Sequence, residues 1–143
     1  MFVGSGVSIS TALEGRLKLL EIAYAPSLVT SGLDGLTLEC LGDGSVAIFI
    51  CPSSSRGVKR LLDQASEAND NGLKVIMLTD EGGEEAKEVA DEVVVVPTPP
   101  ELPEIMTPIP FIVPLQLFAY YVSVERGLDP DKPRNLAKSV TVK

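Results

Sequence analysis

The chain has 143 residues, 45% of them hydrophobic, a formal net charge of −8 and a pI near 4.5. That length and composition suit one hydrophobic core and exclude a disordered chain. The negative charge argues against nucleic acid as a partner but leaves room for one small phosphorylated ligand held by a local patch of donors. With no histidine, the usual general base near neutral pH and the commonest zinc ligand are missing. No metal and no cofactor are expected, and chemistry must rest on Glu, Asp, Lys or hydroxyls. Two cysteines, Cys40 and Cys51, make no disulfide framework and point to a reducing cytoplasm. No run reaches the ~18–20 apolar residues of a membrane span, and the N-terminus lacks the layout of a signal peptide, so no membrane association is expected.

In chain order, residues 1–6 read as a short strand entering a glycine turn. Ser8 or Ser10 then caps a helix in which Leu13, Leu17, Leu20 and Tyr24 recur at helical spacing, ending before Pro26. Residues 27–44 are Gly-rich and weakly patterned, a loop with room for one short helical turn. Ser45 to Pro52 is a continuous apolar run, as in a strand covered on both faces. A helix follows from about Arg56 to Asn69 with Val58, Leu61, Leu62 and Ala65 inward, and Asn71-Gly72 closes it. Lys74–Thr79 is the next strand, Glu84–Val89 a short acidic helix, Val93–Val96 a strand and Pro97–Pro103 a linker. A mostly apolar helix runs from about Pro110 to Glu125, with Pro114 near its first turn. Its residues Phe111, Ile112, Leu115, Leu117, Phe118, Tyr120, Tyr121 and Val122 spread over more than one face. Residues 128–143 form a polar tail.

Strands alternating with helices predict an α/β fold: a three-layer αβα sandwich on a parallel sheet of four or five strands, with Phe2–Val3, Val46–Ile50, Lys74–Leu78 and Val93–Val96 central. Ligands of such sheets bind beyond the carboxyl ends of the strands. There, Gly4-Ser-Gly6 lacks the third glycine of a dinucleotide fingerprint, since position 9 is Ile, and reads as a tight turn. Ser53, Ser54, Ser55 and Arg56 lie between a strand and a helix N-terminus. They are either a phosphate cradle or an ordinary cap. Glu14, Lys18 and Glu21, at i, i+4 and i+7, share one helix face. They form either a solvated ion-pair stripe or a carboxylate base beside an ammonium group. Aldose–ketose isomerisation uses the second arrangement: the base moves a proton between C1 and C2 while cations stabilise the enediolate oxygens.

Two stretches carry a family resemblance. Pro133-Arg-Asn-Leu-Ala-Lys-Ser-Val-Thr-Val-Lys143 resembles the PRNLAKSVTVE end of the glucosamine-6-phosphate synthases. Phe2-Val-Gly-Ser-Gly6 followed by Ala12-Leu-Glu-Gly-Arg-Leu-Lys-Leu-Leu-Glu-Ile22 resembles their FLGRG…ALEGALKLKEI stretch. The anchors lie near both ends, in the family's order. The resemblance is to the second of the family's two sugar-isomerase (SIS) domains, and it implies a flavodoxin-like SIS fold over residues 1–143, with 128–143 as a tail closing over a sugar site. It implies Glu21 as the base between C1 and C2, Lys18 as an active-site lysine, Lys138 as the tail lysine that contacts the sugar, and Ala137 as a backbone sugar contact. The Ser53–Ser55 loop occupies the place of the family's phosphate loop.

The chain departs from the family in three ways. The ring-opening histidine of the GELKHGP-type segment is absent from Ser31–Cys40, where Asp34 or Glu39 are the available carboxylates. The first SIS domain, which holds the main phosphate loop, has no counterpart in these residues. Neither has the glutaminase nucleophile. The resemblance therefore implies a phosphosugar-binding, isomerase-type domain acting on a ketose or aldose 6-phosphate. The alternatives are a subunit of a split synthase, a sugar-phosphate sensor, and a paralogue kept for assembly. An SIS domain without its sister leaves an apolar face uncovered, so a homodimer, or a chain carrying the missing half, is the expected partner.

Overall fold

The structure is a computed structural model that describes residues 1–32, 41, 44–134 and 136. Its centre is a five-stranded, wholly parallel sheet in the order β2-β1-β3-β4-β5. The strands are β1 (Phe2–Gly4), β2 (Val29–Thr30), β3 (Val46–Ile50), β4 (Lys74–Thr79) and β5 (Glu92–Val95). β3 lies at the middle, with Phe2 opposite Ile48 on one side and Ile48 opposite Ile76 on the other. Strand side chains alternate between the faces, so the apolar run feeds two cores. Val3, Ala47, Phe49, Cys51, Val75 and Met77 pack with Leu61, Ala65 and Ala68. Phe2, Ile48, Ile50 and Leu78 pack with Ala12, Leu19, Phe111, Leu115 and Ala119. Helices on both faces make the three-layer αβα sandwich.

The first core is closed by α2 (Val58–Asp70) and the one-turn α3 (Ala86–Val89), the second by α1 (Ser8–Lys18) and α4 (Pro108–Glu125). α2 ends at the expected glycine: Gly72 has φ 81° and the Leu73 amide donates to the Ala68 carbonyl at 3.1 Å, a Schellman-type closure. α1 turns a different face inward from the one its leucines suggest. Leu13 and Leu17 are exposed, whereas Ser8, Ala12, Gly15 and Leu19 are buried. Small residues let α1 approach the sheet and α4 closely; a Cβ on Gly15 would lie 2.7 Å from Leu115 Cδ1. Neither expected serine caps it: the N-cap is Val7, Ser8 is buried in the first turn, and the Ser10 hydroxyl donates back to the Val7 carbonyl at 2.6 Å.

Other expectations shift. β2 lies inside the stretch read as loop; its two residues are too few to carry a period. β5 is an edge strand rather than a central one, with Val94 and Val95 exposed. α4 starts at Pro108, which puts Pro114 inside the helix, beyond the first turn. Together with the preceding turn, Glu104–Glu125 spans 22 residues and is long and apolar enough to cross a membrane by length and composition, contrary to the sequence expectation. In the fold, Phe111, Leu115, Ala119 and Ser123 of α4 are buried, against the sheet and α1.

Candidate functional site

After α1 the chain makes a π-helical turn, Leu19–Ala23, and leaves it through Tyr24 in the left-handed region at φ 51°. A widened turn of this kind is frequent at functional sites. Glu21 lies in it, and Lys18 lies at the end of α1. The Lys18 ammonium donates to Glu21 Oε2 at 2.6 Å and pairs with Glu14 Oε1 at 3.3 Å, with all three side chains partly exposed. The hydrogen bond to Glu21 raises the Lys18 pKa above its usual value; partial burial opposes this, and the bond to Glu14 supports it. The candidate base thus faces a lysine held in its charged form. Arg16 Nε donates to the Ser27 carbonyl at 2.9 Å, which fixes this end of the helix beside the amino end of β2.

The opposite, carboxyl end of the sheet carries the serine loop. The three serines divide there. Ser55 is buried; its hydroxyl accepts from the Gly57 amide at 3.3 Å and its carbonyl from the Val58 amide at 3.2 Å, so it caps the turn into α2. Ser53 and Ser54 are exposed and line a cleft of about 300 Å³ with Asp80, Glu81, Thr98 and Thr107. Most amides of the loop are engaged. Ser53 N–H donates to Asp80 Oδ2 at 3.1 Å, Ser55 N–H to the Pro52 carbonyl at 2.9 Å, and Arg56 N–H to Glu104 Oε1 at 3.4 Å. Asp80, itself buried, also accepts from the Gly82 amide at 3.2 Å. Two carboxylates therefore sit against amides of the loop. Arg56 lies at the rim, its guanidinium exposed and 3.9 Å from Glu104.

Lys18 and Glu21 therefore meet in one cluster, and Ser53 and Ser54 in another. From Ser8 to Glu21 the helix runs roughly 20 Å, so the two clusters occupy opposite ends of the sheet. Lys138, Ala137, Asp34 and Glu39 lie outside the described residues. Among the described residues no group of three or more His, Cys, Asp or Glu is placed to hold a metal. Four residues of interest have contacts that the sequence does not reveal. Asp80 is marked in the sequence only by its place at the carboxyl end of the Lys74–Thr79 strand, where ligands of parallel sheets bind. Glu104 gave no periodic signal. Tyr24 and Arg134, 110 positions apart, meet through an Arg134 N–H to Tyr24 hydroxyl bond of 2.6 Å, and the Arg134 guanidinium lies 4.0 Å from the ring centroid.

A family model described as SIS domain matches residues 1–126. The chain belongs to the SIS domain family. Among its relatives, an isomerizing glutamine–fructose-6-phosphate aminotransferase of Thermococcus kodakarensis is 45% identical over 143 residues, which are 99% of this chain and 23% of that protein. Its counterpart in Methanothermobacter thermautotrophicus is 40% identical over 143 residues, 99% of this chain and 24% of that protein. This SIS domain thus spans about a quarter of the length of these relatives. Among solved structures, the C-terminal domain of glucosamine-fructose-6-phosphate aminotransferase from Francisella tularensis superposes with a TM-score of 0.72 at 25% identity, covering 90% of this chain and 36% of that one. The sugar isomerase domain of an RpiR transcription factor from Sphaerobacter thermophilus shares the fold: its TM-score is 0.73 at 22% identity, covering 88% of this chain and 70% of that one.

Proposed function

We propose that this SIS domain is the base-bearing half of a phosphosugar isomerase site acting on a ketose or aldose 6-phosphate. The observation that carries the reading is the Lys18–Glu21 contact of 2.6 Å on a chain 45% identical to an aminotransferase whose name includes isomerizing. Glu21 is the base that takes the proton from C1 or C2 of the open-chain sugar and returns it to the neighbouring carbon. Lys18 and Lys138 stabilise the oxyanion that builds up between the two transfers. No cofactor enters this scheme, since both transfers are of protons. We place the domain in the reducing cytoplasm on its cysteine usage.

The distance between the Glu21 cluster and the Ser53–Ser54 cleft supports a shared site. A two-fold axis perpendicular to α1 places the amino end of one SIS domain beside the carboxyl end of its mate. Ser53, Ser54 and the Ser55 turn then serve the phosphate end of a sugar whose C1–C2 end meets Glu21 of the other domain, with Ala137 as a backbone contact. The mate is a second copy, or a chain carrying the other SIS domain and a glutaminase. For phosphate to enter the cleft, Glu104 or Asp80 has to give up an amide.

The test is proton exchange at C1 or C2 of fructose 6-phosphate in deuterated buffer, followed by NMR, beside calorimetric binding. Wild type exchanges and Glu21→Gln does not, with affinity changed by less than about threefold, because the amide keeps the shape and loses the base. Exchange at the wild-type rate in Glu21→Gln would acquit Glu21. A second reading rests on the absence of histidine, which removes the family's ring-opening group: binding of the sugar phosphate without exchange identifies a sensor.

A further inference from the structure

The π turn Leu19–Ala23 carries Glu21, and the reason it needs outside help lies in the sequence. In an uninterrupted helix the Ile22 carbonyl accepts from the amide four residues on. That residue is Pro26, which has no amide. The turn closes through Leu19 instead, whose carbonyl accepts from the Tyr24 amide and, at 3.3 Å, from the Ala25 amide. Tyr24 is, among the described residues, the one residue other than glycine with a positive φ, a strained exit that persists where surrounding contacts hold it. The Ile22 carbonyl is left without a partner in its own helix. Ser123 of α4 supplies one across 101 positions of sequence: its Oγ donates to the Ile22 carbonyl at 3.0 Å. The donor is as specific as the acceptor. α4 buries Phe111, Leu115, Ala119 and Ser123 at intervals of four, three apolar side chains and one hydroxyl. Ser123 is 0% exposed, and a buried hydroxyl has to find an acceptor. A serine within a helix ordinarily takes the carbonyl four residues back on the same helix; Ser123 gives its proton to the neighbouring turn.

We propose that Ser123 is a positioning residue for the candidate base: its hydroxyl holds the turn in the π form and so fixes where the Glu21 carboxylate stands relative to Lys18. The catalytic half of this statement rests on the reading of Glu21 as the base. Ser123 acts through the Ile22 backbone, one residue beyond Glu21. The turn it secures differs from an α turn by about one residue of register, roughly 100° of helix rotation. Without the hydroxyl, the Ile22 carbonyl is a part-buried acceptor with no donor, and the turn has to open toward water to satisfy it. Glu21 moves with the turn. Glu14 does not, because it lies in α1 itself, one turn before Lys18. The two carboxylates beside one ammonium therefore serve as probe and reference.

The test compares wild type with Ser123→Ala, Ser123→Thr and Ser123→Val in the full chain. Thr and Val have the same shape and differ in the hydroxyl, so any crowding at this buried position is common to both. Zero-length carbodiimide coupling, read by peptide mass spectrometry, measures the ratio of Lys18–Glu21 to Lys18–Glu14 product without any ligand. That ratio is expected to fall about threefold or more in Ser123→Ala and Ser123→Val, the scale of one lost hydrogen bond, and to keep its wild-type value in Ser123→Thr. Lys18–Glu14 coupling stays constant and reports that each variant is folded. Proton exchange on fructose 6-phosphate is the second readout. The turnover rate is expected to drop about tenfold or more in Ala and Val, with calorimetric affinity changed less than about threefold, and to recover in Thr. A merely structural bond would lower the melting temperature and leave both the coupling ratio and the rate alone. Equal ratios in Thr and Val overturn the proposal. Wild type that does not exchange the sugar removes the isomerase reading instead, and the ratios then decide on Ser123 by themselves.

Discussion

Cys51 shows how position sets the chemistry of a residue. It ends the β3 run, is 1% exposed, and its thiol sits among α2 and the β4 loop. Burial, then the nearby charges of Asp80 and Glu85, push its pKa up from 9.0 to about 12. Both causes disfavour the thiolate, so native Cys51 is an inert side chain of the core. The folded pKa exceeds the unfolded one. The stabilisation is therefore fully present below about pH 9 and is lost as pH rises from 9 toward 12. In a Cys40→Ser background, Ellman's reagent at pH 8 is expected to react about a thousandfold more slowly with the native than with the urea-unfolded protein. Rapid native labelling would contradict the burial. Lys18, also raised, adds to the alkaline loss of stability; its ion pairs, being partly exposed, contribute little at neutral pH.

At the level of elements, the packing of α1 on α4 decides where the candidate base stands. Gly15 faces Leu115 Cδ1 at 2.7 Å, Phe2 Cε1 at 3.2 Å and Leu115 Cβ at 3.3 Å, measured from the Cβ it lacks. Leu115 is 2% exposed and has nowhere to swing. Alanine at position 15 gains about 1 kcal/mol of helix propensity but overpacks this contact by about 1–3 kcal/mol. A net loss of about 1 kcal/mol in urea unfolding is expected. Leu115→Val, which removes one carbon from the crowded side, costs about 1 kcal/mol alone and less in the Gly15→Ala background. Additive losses would show that the two residues do not press on each other. The same close approach explains the inverted amphipathicity of α1: its small residues sit inside and its leucines outside.

For the whole molecule, those outward leucines continue onto α4. Leu13 and Leu17 of α1 are exposed by 51% and 41%, and Leu117 and Tyr121 of α4 by 51% and 61%. Ile109, Val113, Tyr120 and Val124 are exposed as well. An apolar surface of this extent on one layer is the place where a partner would be expected to dock. A two-fold mate covering it would also complete the site proposed above. Light scattering at tens of micromolar is expected to show a dimer, whose interface exceeds the roughly 1,000 Å² floor of specific association. Leu17→Glu with Tyr121→Glu is expected to give a monomer with an unchanged circular-dichroism spectrum, because both residues are on the surface of the single chain, and a melting temperature that no longer rises with protein concentration. A wild-type monomer would sink the homodimer and make a separate chain the mate.

The sequence by itself determined the α/β class, the parallel sheet and the family. The apolar run Val46–Ile50, the strand Lys74–Thr79 and the Asn71-Gly72 stop are local patterns, and the motifs around Glu21 and Lys138 are contiguous strings. It also held Lys18 and Glu21 together, since helical spacing places them on one face whatever the rest of the chain does. What it left open depends on contacts between distant residues. Whether leucines or small residues of α1 face inward is decided by Leu115 on a helix a hundred positions away. That Ser55 turns inward while Ser53 and Ser54 face a cleft is decided by how the loop closes into α2. The separation of that cleft from Glu21 follows from parallel topology, in which a helix starting at the carboxyl end of one strand must return its own end to the amino end of the next. No local pattern records that path, because residues near in sequence sit at opposite ends of the sheet and Tyr24 meets Arg134 only once the chain has closed.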